Sequence, residues 1–153
     1  MGLDMYLSKR VYIGANYEHR NVKIKVEVFV DGVEIPINQD KITYIEESVA
    51  YWRKANQIHA WFIHHTDPET DDDCTSRFLT IDTLKKLLED CKKVLKNPKL
   101  GPEILPTQEG CFFGNTDYDD EYLEDLKETV KILSRTILKD ANEECEYVYS
   151  ASW

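Results

Sequence analysis

A chain of 153 residues has the size of one ordinary domain, long enough to bury a core without metal or disulfide staples. Its 42% apolar and 31% charged residues exclude a disordered chain, and no apolar run reaches the ~20 residues that span a membrane. With 29 acidic against 19 basic residues the net charge is −10, which argues against direct DNA or RNA binding, because phosphate backbones are held by clustered Lys and Arg. An acidic surface keeps a protein soluble. The sharper reading is a carboxylate-rich face that imitates a polyanion.

Residues 1–13, MGLDMYLSKRVYI, place Leu3, Met5 and Leu7 on one parity and Asp4, Tyr6 and Ser8 on the other, the period of a half-buried strand. Gly14 to Asn21 is polar and reads as a loop. From Val22 to Ile37, apolar residues alternate with Lys23, Lys25 and Glu27 up to Asp31-Gly32, a pair that tolerates positive φ at both central positions of a two-residue turn. A β-hairpin over 22–37 is expected, with Pro36 keeping the return strand short or at an edge.

Residues 41–65, KITYIEESVAYWRKANQIHAWFIHH, contain neither Gly nor Pro and carry two of the three Trp and three of the four His. We expect a helix from about Ile45 or Glu46, with Glu46 and Glu47 at its positive end and His64 and His65 at the other. Asp67-Pro68 stops it, and DPETDDD at 67–73 is an exposed acidic loop. A second helix spans Phe78 to Pro98, capped by Thr80, with Leu84, Leu87, Leu88, Cys91, Val94 and Leu95 as its apolar stripe. Residues 99–116 are irregular. A third helix over Asp117 to Lys139 buries Tyr122, Leu126, Val130, Leu133 and Ile137, and Cys145 to Trp153 returns to period two as a last strand.

This order predicts one α+β domain over residues 1–153. Its small antiparallel sheet combines the N-terminal strand, the hairpin 22–37 and the C-terminal strand, packed with about three helices.

Indexed as a helix, Trp52, Asn56 and His59 fall on successive turns of one mixed stripe. Two readings are open. Either Asn56 and His59 are satisfied core polars bonded to neighbouring loops, or the stripe walls a ligand cleft. In the second case Trp52 stacks, Asn56 hydrogen-bonds, and Arg53 or Lys54 meets an anion, a set that suits a nucleotide-like ligand. The loop LPTQEGCFFG supplies Thr107, Gln108 and Gly110 as a cover.

No metal site is expected. His59 and His64 do not share a helix face, and the acidic loop has Asp72 where an EF-hand needs Gly. No CxxC pair occurs, and the opening residues carry no signal-peptide pattern. We therefore expect reduced thiols, a cytoplasmic setting and no cofactor.

MGLDMYL, YWRKANQIHAWF, LPTQEGCFFG with TDYDDEYLEDL, and the closing YSASW together resemble a family of small uncharacterised proteins of tailed bacteriophages and prophages. The resemblance runs over nearly the whole chain and implies an accessory protein acting in the host bacterial cytoplasm. The function expected is non-enzymatic binding of a nucleotide-like ligand, such as sequestration of a host defence signal. The alternatives are an acidic inhibitor of a host protein and a small nucleotide hydrolase using His59.

Overall fold

A computed structural model describes residues 2–14, 25–66, 74–141 and 145–153. The expected loop at 14–21, the start of the hairpin at 22–24 and the acidic loop 67–73 lie wholly or largely outside them.

The fold is α+β. Strands β1 (Asp4–Tyr12), β4 (Tyr44–Arg53), β5 (Arg77–Leu79) and β6 (Glu146–Ser152) form one antiparallel sheet in the order β4-β1-β6-β5. Both ends of the chain are thereby central to it. Leu3, Met5 and Leu7 are buried on one side, beside Tyr147, Tyr149 and Ala151 of β6, while the alternate residue Tyr6 is exposed and pairs with Tyr51 across the strands. The alternation read at the N-terminus is the alternation observed; in β6 Tyr147 and Tyr149 keep the expected parity, but Val148 between them is buried too.

Three long helices cover the buried face: α1 (Asn56–Thr66), α2 (Ile81–Lys96) and α4 (Asp120–Asp140), with a single turn α3 (Gly101–Ile104) between the last two. Thr80 caps α2, its hydroxyl accepting from Thr83 N–H at 3.3 Å, and Asp119 caps α4, its Oδ1 accepting from Tyr122 N–H at 3.0 Å. Leu84, Leu87, Cys91 and Val94 of α2 meet Tyr122, Leu126 and Leu133 of α4 in the core.

Several expectations change. The hairpin exists, with β2 (Val28–Val30) and β3 (Val33–Ile35) joined at Asp31 (φ 51°) and Gly32 (φ 78°), but it forms its own two-stranded ladder outside the main sheet. Phe29 and Val33 are 57% and 67% exposed, so its apolar residues do not enter the core.

The larger correction falls on residues 45–65. The first half is strand β4, not helix, and the helix begins only at Asn56. Between them Lys54 turns the chain at φ 61°, a left-handed conformation achieved without the glycine that would announce it. Asp4↔Arg53 through Leu7↔Ala50 pair in one register and Ser8↔Ser48 through Tyr12↔Tyr44 in another, so Val49 is an extra residue, a β-bulge. The bulge inverts the inward parity part-way along the strand. The second helix likewise starts at Ile81, because Arg77 to Leu79 pair with β6.

A buried ion pair ties the sheet to the last helix. Lys9 Nζ donates to Asp140 Oδ1 at 2.8 Å and Tyr147 OH donates to Asp140 Oδ2 at 2.7 Å, all three groups being buried. Burial pushes the Asp140 carboxyl up, but the bonds from Lys9 and Tyr147 outweigh it and hold the group below its usual range. Tyr147 is correspondingly pushed up, by burial first and then by its bond to Asp140.

Candidate functional site

The corner between β4 and α1 is where the chain concentrates its polar machinery. Lys54 N–H donates to Leu3 O at 2.8 Å and Leu3 N–H to Phe112 O at 3.2 Å, so the N-terminus, the corner and the loop after α3 are sewn together by backbone. Asn56, 2% exposed, completes the stitching. Its Nδ2 donates to Phe113 O (3.1 Å) and Asn115 O (2.8 Å), and its Oδ1 accepts from Gln108 N–H (3.1 Å). An amide with both N–H groups and its oxygen engaged is a loop clasp.

Gly110 and Gly114 let that loop close. A Cβ at Gly110 would lie 2.6 Å from the Phe113 ring, and Gly114 takes φ 95° with Lys54 O 3.3 Å from where its Cβ would be. Thr107 Oγ1 donates to Thr116 O at 3.1 Å, and Tyr122 OH donates to Leu105 O at 2.9 Å. Burial pushes the Tyr122 phenol well above its usual range and keeps it a neutral donor.

Between corner, loop and α4 lies a cleft of about 150 Å³. Asn56, Gln57 and Tyr122 are its buried part, and Thr107 and Asp125 are half-buried. Arg53, Lys54, Gly114, Asn115, Asp117 and Glu121 are exposed at its rim. Cations thus come from the β4–α1 corner and carboxylates from the loop and the first turns of α4. Gln57 Nε2 donates to Asp125 Oδ2 at 2.9 Å. Burial raises the Asp125 carboxyl above its usual range; the Gln57 bond lowers it, and the nearby carboxylates of Glu121, Glu128 and Asp119 add to the rise.

Of the eight residues singled out in the sequence, Arg53, Lys54, Asn56 and Thr107 line this cleft. Gln108 and Gly110 belong to the same loop without lining it. Trp52 and His59 are elsewhere. Trp52 is 4% exposed, packs on Phe62 and donates from Nε1 to Thr129 Oγ1 at 2.9 Å; Thr129 Oγ1 in turn donates to Asp125 O at 2.7 Å. His59, 1% exposed, shares a 2.6 Å hydrogen bond between Nδ1 and Tyr149 OH, and its ring lies edge-on to Phe113 and Trp153. For these two, and for Asn56, the arrangement is that of satisfied interior polar groups. They never shared a helix stripe, because Trp52 is on a strand.

Gln57, Asp117, Glu121 and Asp125 were not singled out. Gln57 lies outside the Trp52-Asn56-His59 stripe, and the acidic residues at 117–125 read as part of an acidic surface. The sequence held no signal that would have brought them to Arg53 and Lys54.

No cluster of three or more His, Cys, Asp or Glu side chains that could hold a metal occurs among the described residues, and none of their helices is long and apolar enough to cross a membrane. The four cysteines are free, with Cys91 buried and its thiol pushed up by burial. Comparison with known protein families, curated proteins and solved structures yields no match for this chain.

Proposed function

We propose that the protein is a small-molecule-binding protein whose ligand is nucleotide-like, with an anionic group at Arg53 and Lys54 and a hydrogen-bonding head among Gln57, Asp125 and Thr107. The observation that carries this is Lys54. Its ammonium has no hydrogen-bond or ion-pair partner among the described residues, it lines the cleft, and it stands beside Arg53, whose pairing to Asp4 is a long 3.8 Å. At about 150 Å³ the cleft is below the usual 300–1,000 Å³ of ligand pockets and of the size that takes one ring, so it encloses a head group and leaves the charged tail at the rim.

In the setting the resemblance implies, this is a phage accessory protein in the bacterial cytoplasm, and sequestration of a host signalling nucleotide is the role that fits such a cleft. A hydrolase using His59 finds no support, since that imidazole is sealed among aromatic rings away from the cleft. Calorimetric titration against linear and cyclic nucleotides tests the proposal. Binding that weakens tenfold or more in Arg53→Ala/Lys54→Ala is expected; heat from none of them refutes it.

A second reading draws on the acidic run Asp117, Asp119, Asp120, Glu121 and Glu124 at the start of α4. It suits an inhibitor that fills the basic cleft of a host protein. Charge reversal at Asp120 and Glu124, which do not line the cleft, would abolish capture of that partner while leaving nucleotide titrations unchanged.

A further inference from the structure

The hydrogen-bonding groups of the cleft below its rim are unequally free. Both N–H groups of Asn56 are engaged, as are the hydroxyls of Thr107 and Tyr122. Gln57 has spent one of its two N–H groups on Asp125. The acceptors are less committed: Asp125 Oδ1 and Gln57 Oε1 accept nothing from a described residue, although Gln57 is only 2% exposed and lines the cleft. What remains inside is one N–H and the amide oxygen of Gln57 beside a carboxylate with an open oxygen.

That remainder has a complement. The head group that fills it most completely brings adjacent N–H donors to both Asp125 oxygens, Oδ2 accepting a second bond beside that from Gln57, and one acceptor to the spare N–H of Gln57. A ligand that brought acceptors to Asp125 would set lone pair against carboxylate. One that brought only apolar surface would leave a partly desolvated carboxylate among three others without compensation.

We infer that the cleft selects the guanine edge, with N1–H and the 2-amino group on Asp125, O6 on Gln57, and the phosphate outside at Arg53 and Lys54. This deepens the nucleotide-binding reading and rests on it. Adenine places an acceptor, N1, next to its amino group and cannot satisfy a carboxylate with two donors. Uracil offers a single donor flanked by two carbonyls. Hypoxanthine has N1–H and O6 but lacks the 2-amino donor, so it isolates one of the two bonds.

The test is titration of the full chain with guanosine, inosine, adenosine, uridine and xanthosine 5′-monophosphates, repeated in Asp125→Asn. The amide keeps an oxygen for Gln57 Nε2, and a melting curve checks that the variant is folded. Guanosine monophosphate should bind tightest, with the inosine compound about tenfold weaker and the adenosine compound weaker still. In Asp125→Asn the guanosine compound should lose tenfold or more, and preference should move toward xanthosine, whose 2-oxo group accepts from the new amide.

Equal binding of adenosine or uridine compounds by the native chain, or guanosine binding unchanged in Asp125→Asn, overturns the inference. In either case binding lost on removing Arg53 and Lys54 keeps the broader reading intact. Silence toward all five overturns both.

Discussion

Gln57 and Asp125 are joined by a 2.9 Å hydrogen bond that spans 68 positions of sequence and fastens the first turn of α1 to the second turn of α4. The carboxylate is the uncomfortable partner. Burial and its acidic neighbours favour its protonated form, so ionising it near neutrality opposes folding. A folded-state pKa above the unfolded value means that the folded form takes up the proton first as pH falls, and that the penalty is complete once pH exceeds the raised value. Asp125→Asn, which keeps the bond and removes the charge, should therefore stabilise the fold at pH 7 by about 0.5–2 kcal/mol. The gain should shrink as pH falls through the raised value and be gone below the ordinary carboxylate range. Urea melts at pH 7 and pH 4 give the comparison.

Asn56 acts through backbone. In Asn56→Ala the buried Phe113 carbonyl loses its partner, and one such group left unsatisfied costs about 1–3 kcal/mol. Hydrogen exchange should accelerate most over residues 105–118, the stretch that Asn56 holds, while the amides of β1 and β6 follow only the global loss of stability.

Lys9 and Asp140 make a different prediction, because both are sealed from water. Lys9→Met leaves the carboxylate buried and uncompensated, a loss of about 3–5 kcal/mol. Lys9→Met/Asp140→Asn should recover much of it, since the amide needs no counter-charge and still accepts from Tyr147. In the native chain the depressed Asp140 pKa gives stability that is present above the unfolded carboxylate value and lost as pH falls through the folded one. The deficit of Lys9→Met should accordingly narrow below about pH 4.

Much of this architecture is legible in the sequence where one periodicity runs unbroken. Leu3, Met5 and Leu7, the stripe of α2 and the closing strand each bury the face that their spacing assigns. Residues 45–55 were illegible for two physical reasons. The bulge at Val49 breaks the alternation that would have declared a strand, and five of the ten residues of β4, Tyr44 to Ser48, are exposed whatever their parity. A turn made at Lys54 rather than at a glycine hid the boundary. The cleft was half visible: Arg53, Lys54, Asn56 and Thr107 were found by their chemistry, whereas Gln57 and Asp125 meet only through tertiary packing.

Substitutions separate core from cleft. Trp52→Ala removes a buried indole that is hydrogen-bonded to Thr129 and should cost about 3–5 kcal/mol, enough to lower the thermal midpoint by many degrees. Lys54→Ala keeps the same backbone strain and loses an unpaired ammonium, so its stability should stay within about 0.5 kcal/mol of native. Thermal melts of the two variants should differ widely, and only Lys54→Ala should weaken ligand binding without a change in melting.

The most direct measurement of where a ligand sits is amide chemical-shift mapping during titration with guanosine 5′-monophosphate. Shifts should concentrate at residues 53–57, 107, 114–117 and 121–125, saturate with one ligand per chain, and fade in Lys54→Ala. Saturable shifts confined to other surfaces, such as the exposed hairpin 28–35, or no saturable shifts at all, would contradict a cleft built from the β4–α1 corner and α4.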